Sequence, residues 1–349
     1  MTLARTSTMA LVAATLLSGV GCGVGTDPGD PGVETESLTG PTAVANMSPS
    51  GVVESTGNLY WTKNSSTIFP RSYSAQVYRA AKTNVPGQET ILYQESSISP
   101  FSFGNITFAN VGGVWYGYFI ATYRIGGTVI KRVPLDGSSA AVTLGSAGQW
   151  ASAGSPLQTD GTYLYYYGSD GMYAAKMDAS AAWLLYPVSG ITSFGIDSQH
   201  IYFAAGTTVY RTYKPNVAFY SNVLTTTTDP VTQLAVQPGA ASDATTVVYF
   251  SAGQNILQYS QSGGVSGFSN PGGFGMVYPQ TTTSLSIGGT NVLWSWCDAS
   301  ARCSVGYRGE ADWIGFGTLK GVASGARQVV GDSTRIFYVD NSAFERLSY

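Results

Sequence analysis

A chain of 349 residues with 44% hydrophobic and only 11% charged residues is too apolar to stay unfolded, and long enough for one large all-β domain or two ordinary ones. Its formal charge of −3, with no basic run anywhere, argues against a nucleic-acid partner. The 43 glycines point to many tight turns.

In chain order, the first segment reads as a leader. Arg5 supplies a positive start, residues 9–17 an apolar core too short to span a bilayer, and residues 18–21 small side chains ahead of Cys22. This resembles a bacterial lipoprotein signal, which implies that Cys22 is lipidated and becomes the mature N-terminus. Gly19 stands where that family prefers leucine, so ordinary secretory cleavage is the alternative. Gly23 is not an Asp-type retention signal, which points to the outer membrane. Residues 23–40 alternate Pro and Gly with acids and form a flexible acidic tether. The expected layout is a signal peptide at 1–21, a tether at 22–40 and one folded domain at 41–349.

A phrase then recurs to the end of the chain. In its cleanest copy, residues 197–211, an Asp-Ser turn precedes the strand Ile201-Tyr202-Phe203, a Gly206 turn and a returning strand ending at Arg211. The aliphatic–aromatic strand returns around Tyr60, Trp115, Tyr165, Tyr249, Trp294 and Phe337. The intervals between these aromatics are 55, 50, 37, 47, 45 and 43 residues, the range of propeller blades. Arg79, Arg132, Lys176, Gln258, Arg308 and Arg346 close the other hairpins as Arg211 closes this one. The seven aromatics are expected in the core, where sheet stacks on sheet.

Blade one carries a long hairpin insert at 64–74 that includes Ile68, Phe69 and Tyr73, and blade six ends on an outer strand at 313–316. The seventh copy offers three strands before Tyr349, and residues 37–44 are the candidate for the fourth, closing the ring and removing an exposed edge. The fold expected is an all-β, seven-bladed propeller of four-stranded antiparallel blades, with six blades plus an accessory hairpin as the alternative.

The repeat, a turn with Asp or Gly, an aliphatic-Tyr-Trp/Tyr/Phe strand and a hairpin to an Arg-bearing strand, is similar to those of secreted bacterial propellers of the NHL and YWTD-type group. The resemblance covers about residues 45–349. It implies a fold rather than an activity. Blade one reads Leu59-Tyr60-Trp61-Thr62, but Lys63 stands where the full motif has an acid, so no receptor-like role follows.

Chemistry is sparse. Cys297 and Cys303 flank the tip of the sixth hairpin and fit a disulfide in an oxidising compartment, leaving Cys22 as the odd cysteine. A metal site at this pair is the other reading, without a second pair or nearby histidine to complete it. The turn aspartates, among them Asp160 and Asp197, read as turn closers, with calcium binding as the alternative. His200 is the only histidine and reads as a surface or turn-packing residue. Glu310 and Asp312 are a close carboxylate pair that fits a solvated loop, or general acid–base work as the alternative.

No cofactor or metal is expected. Phe69, Tyr73 and Trp313 are the expected partner contacts. The reading is a monomeric, envelope-tethered, non-catalytic propeller that binds a protein or glycan. The alternative is an envelope polysaccharide lyase or glycosidase on the same scaffold.

Overall fold

The computed structural model describes residues 42–45, 51–54, 57–83, 86–214, 221–237, 246–261, 263–269, 281–288, 291–297, 303–309, 317–319, 328–331, 335–339 and 344–348. Cys22, Glu310, Asp312 and Trp313 lie outside them, as do the leader and tether.

The described strands form seven antiparallel sheets of four, each a meander in chain order but for one. Blade one comprises Gly51–Glu54, Asn58–Thr67, Ser72–Ala81 and Thr90–Ser97, and blade two Phe101–Val111, Val114–Tyr123, Gly127–Pro134 and Val142–Thr143. A short 3-10 turn at Ser146–Trp150 leads to blade three, Gln158–Thr159, Tyr163–Tyr167, Gly171–Lys176 and Ala182–Pro187. Blade four is Ile191–Ile196, His200–Ala205, Thr208–Tyr213 and Ser221–Thr226. Blades five and six run from Val231–Gln237 to Gly264–Ser269 and from Thr281–Gly288 to Gly317–Leu319. The exception is the last sheet, in which Val329–Gly331, Arg335–Val339 and Phe344–Ser348 are completed by Thr42–Ala45. Thr42 pairs with Arg346 and Ala43 with Glu345, so the ring is closed with a strand from the start of the domain.

The second strand of each blade shows why the sheets stack. His200–Ala205 is buried at its first five positions, and Asn291–Cys297 at five in succession. Side chains alternate across a strand, so continuous burial means that both faces are covered. The covering is seen pair by pair. Leu59, Trp61 and Ala80 of blade one meet Phe337 of blade seven. Tyr165 and Met172 of blade three meet Phe194 and Phe203 of blade four. Tyr202 and Val209 of blade four meet Val231 and Phe250 of blade five.

Six of the seven repeat aromatics lie in this core: Tyr60, Tyr165, Tyr202, Tyr249, Trp294 and Phe337 are all at most 6% exposed. Trp115 does not, since its side chain is 53% exposed. The ladder gives the reason. Tyr60 lies opposite Arg79, Tyr202 opposite Arg211, Tyr249 opposite Gln258 and Phe337 opposite Arg346. In blade two the residue opposite Arg132 is Tyr118, which is fully buried. Trp115 therefore lies three positions before the true equivalent, next to the turn. Two closing residues shift as well: Lys176 faces Tyr163 rather than Tyr165, and Arg308 faces Val292 rather than Trp294.

A four-stranded meander places its first-to-second and third-to-fourth connections on one rim of the ring. The second-to-third hairpins and the blade-to-blade connections lie on the other. The two rims carry different chemistry.

Candidate functional site

On the first rim, at the junction of blades one and two, a cleft of about 440 Å³ is lined by Tyr60, Arg79, Gly113, Val114, Trp115, Leu135 and Asp136. A two-residue hairpin turn builds one wall. Val111 pairs with Val114 across Gly112 and Gly113, which have φ of 61° and 88°. Positive φ at both central residues is the type I′ geometry that suits the strand twist, and a β-branched residue would be strained there. The Asn110 Oδ1 accepts the Gly113 amide at 3.0 Å and fixes the turn. The strand leaving it presents Val114 and Trp115 to solvent, 38% and 53% exposed.

An aromatic row anchors the indole. Tyr60 and Phe108 have ring centroids 5.9 Å apart, and Phe108 meets Trp115 edge-on at 6.1 Å. Arg79 is the polar wall. Its Nη1 donates to the Leu135 carbonyl at 2.9 Å, which locks a guanidinium from blade one onto the turn of blade two. Asp136 follows in that turn. The Ser138 amide and hydroxyl, with a smaller share from Arg79, hold its exposed carboxyl below the usual carboxylate range. The cleft thus combines a half-exposed aromatic face, a fixed cation and an ionised carboxylate.

The same rim carries a second, closed arrangement at blades three to five. Asp160 Oδ1 accepts the amides of Thr162 and Tyr163, each at 2.9 Å, and its Oδ2 accepts the Tyr165 hydroxyl at 2.8 Å. Asp197 repeats this with the amides of Gln199 and His200 at 2.8 and 2.6 Å and the Tyr202 hydroxyl at 2.8 Å. An acid five positions before a tyrosine thus closes the turn and satisfies the buried phenol. Thr246 of blade five adds a hydroxyl to Asp197 Oδ2 at 3.2 Å. Both carboxylates are engaged in turn closure by protein donors.

Lys214 links the two turns. Its Nζ lies 3.4 Å from Asp160 Oδ2 and donates to the Asp197 carbonyl at 2.5 Å. Burial pushes this ammonium below the usual lysine range, with the two aspartates pulling it back in part. His200 is 2% exposed and packs on Tyr213 with centroids 4.5 Å apart, so it is a buried turn-packing side chain closed to a substrate.

The predicted site residues Phe69, Tyr73, Cys297 and Cys303 lie on the opposite rim, while Cys22 and Trp313 fall outside the described residues. Phe69 sits at the blade-one hairpin tip, 93% exposed. Tyr73 is half-buried, packs toward the core between blades one and two, and accepts from Arg71 Nε at 3.1 Å. Cys297 and Cys303 face each other in the strand register at the tip of blade six. None of these residues lines the cleft, and sequence reasoning missed the cleft entirely. Among the described residues no group of three or more His, Cys, Asp and Glu is placed to hold a metal ion.

No protein-family model matches the chain, and no curated protein matches it. Solved structures do. Virginiamycin B lyase from Staphylococcus aureus aligns with a TM-score of 0.61 at 12% identity, over 89% of this chain and 99% of that one. A catalytically inactive variant of the same lyase, with quinupristin, aligns at 0.60, also with 12% identity, over 89% and 99% of the two chains. A chain in a mitotic checkpoint complex aligns at 0.58 with 10% identity, over 94% and 98%. At these identities the likeness is one of fold, and that fold is the β-propeller.

Proposed function

We propose that this chain is a seven-bladed propeller, held at the cell envelope by a lipid on Cys22, that binds a glycan in the cleft between blades one and two without transforming it. The observation that carries the reading is the half-exposed Trp115 face beside Arg79 and Asp136. An indole face stacks on the C–H face of a sugar ring. A fixed guanidinium then donates to the ring's hydroxyls, and a carboxylate accepts from them.

The binding reading is preferred over a lyase or glycosidase on chemical grounds. Hydrolysis of a glycosidic bond calls for two positioned carboxyl groups, whereas Asp136 is the single carboxylate lining the cleft among the described residues. The lyase among the structural neighbours speaks for the scaffold and not for the reaction.

A glycan array with the full chain carrying Cys22→Ser tests the reading, run beside Trp115→Ala and Arg79→Gln. Retention of one glycan class, lost in both variants, is the expected result. Retention that survives both variants moves the site elsewhere, and cleavage of a retained glycan establishes the enzyme instead. Palmitate labelling in the producing cell, abolished by Cys22→Ser, tests the anchor.

A further inference from the structure

The rim opposite the Trp115 cleft carries four large apolar side chains turned out to solvent within two neighbouring blades. Ile68 and Phe69, at the second-to-third hairpin of blade one, are 78% and 93% exposed. Ile98, in the connection to blade two, and Ile125, in the blade-two hairpin turn, are each 80% exposed. Backbone pairing sets the three turns side by side. Tyr73 pairs with Ser97, which brings the connection alongside the first hairpin. The Arg124 amide donates to the Pro100 carbonyl at 2.9 Å, which brings in the second. Asn64 is tied to the Phe103 backbone by two bonds of 2.9 and 2.8 Å.

The first hairpin also projects. Asn58–Thr67 and Ser72–Ala81 are ten residues each, where the matching strands of blade four have six. Four extra residues per strand lift the Phe69 tip by roughly 13 Å at about 3.3 Å per residue.

Charge separates the candidate occupants. Residues 63–74, 97–101 and 122–128 contain Lys63, Arg71 and Arg124 and no acid, in a chain whose net charge is −3. Arg71 is exposed and lies over the Tyr73 ring, 5.7 Å from its centroid. The nearest acid, Glu95, is paired with Lys131 at 2.6 Å, so the apolar tips project from a locally basic part of the rim and fit an anionic lipid surface, where the tips enter the acyl boundary and the arginines meet headgroup phosphates.

We infer that this rim docks on an anionic membrane, with the Phe69, Ile98 and Ile125 turns inserted and the Trp115 cleft turned away from the bilayer. The test uses the full chain with Cys22→Ser and vesicles of phosphatidylglycerol with phosphatidylcholine, beside vesicles of phosphatidylcholine alone. Phe69→Ser/Ile125→Ser is expected to lower partitioning onto the anionic vesicles at least about tenfold, from the loss of two buried apolar side chains. Arg71→Gln/Arg124→Gln is expected to lower it about tenfold on anionic vesicles and little on neutral ones. Amide exchange in residues 66–72 and 122–127 should slow when vesicles are added, which locates the contact independently of any affinity of the leader. Unchanged partitioning of both variants overturns the inference. So does an absence of protection in these turns, or self-association of the parent chain that the variants abolish.

Discussion

Lys214 Nζ lies 3.4 Å from Asp160 Oδ2, so a cation just past the third strand of blade four is paired with a turn carboxylate of blade three. The pair is unequal. For Asp160, burial would raise the carboxyl, but the amides of Tyr163 and Thr162, the Tyr165 hydroxyl and Lys214 outweigh it and hold it below its ordinary range. For Lys214, burial outweighs its partners and holds it below its ordinary range. The carboxylate gains from its surroundings, and the ammonium gives up part of its hydration.

Two substitutions should therefore differ. Asp160→Ala leaves the Thr162 and Tyr163 amides without their shared acceptor, strands the buried Tyr165 hydroxyl and leaves Lys214 short of a partner, at a cost of about 2–4 kcal/mol. Lys214→Met keeps the turn and relieves the desolvation, and should fall within about 1 kcal/mol of the parent. Urea unfolding at neutral pH measures both. A larger loss for Lys214→Met than for Asp160→Ala would refute the assignment.

Acid should unfold the protein through these turns. Asp197 is depressed like Asp160: burial pushes its carboxyl up, and the His200 amide, the Tyr202 hydroxyl and the Gln199 amide more than offset this. A carboxyl whose folded value is below its unfolded one stabilises fully above the unfolded value near about 4 and loses that contribution as pH falls through the folded one. The urea midpoint should fall steeply below about pH 4 and less steeply in Asp160→Asn/Asp197→Asn. Parallel pH curves for the two proteins would show that these carboxyls are not the ones titrating.

Tyr118 and Trp115 should part company on truncation. Tyr118→Ala empties a fully buried site and should cost about 3–5 kcal/mol, while Trp115→Ala removes a half-exposed side chain at a cost of about 1 kcal/mol or less. Thermal melts of the two variants give the answer, and comparable losses would place Trp115 in the core after all.

Ring closure predicts a sensitive terminus. Deleting residues 42–45 leaves Phe344–Ser348 an unpaired edge, at about 1 kcal/mol per lost ladder bond. About four such bonds would lower Tm by roughly 10 °C at about 2–4 °C per kcal/mol. Calorimetry of the truncated chain showing an unchanged Tm would mean that this strand does not hold the ring.

The opposition of Cys297 and Cys303 predicts a disulfide, worth about 2 kcal/mol for so short a loop. Peptide mapping without reductant should recover the two joined. Two free thiols in protein from an oxidising compartment would end the idea.

Much of the fold is legible in the sequence because hydrophobic strands bounded by turns recur at a near-constant interval, and a blade is short enough for local pattern to specify it. The strand that completes the last sheet is legible too, since three strands at one terminus imply a fourth, and residues 42–44 of it fall within the segment expected in that role. The cleft is not legible in the same way. Counting forward from the previous copy puts Trp115 in the core, and that count holds only while hairpins keep their length. Blade one's ten-residue strands break it. Counting outward from the turn at residues 124–126 of blade two, as from the Gly206-Thr207 turn of blade four, matches Arg132 with Tyr118 and releases Trp115 to the surface. The Asn110 to Gly113 turn beside it is a further signal. The meeting of Arg79 with Leu135 is beyond such reasoning, because it depends on how two sheets pack.

The strand pairing of Thr42–Ala45 with Phe344–Ser348 also sets an order of events at the ribosome. The first strand of the domain to be made has no partner until residues near 346 have followed it out of the exit tunnel. Blades one to six each contain all four of their own strands before that point, but the ring stays open, with an exposed edge on either side of the break, until the Phe344–Ser348 strand has been made. Any chain stopped short, however well its early blades have formed, would present those edges to the quality-control machinery.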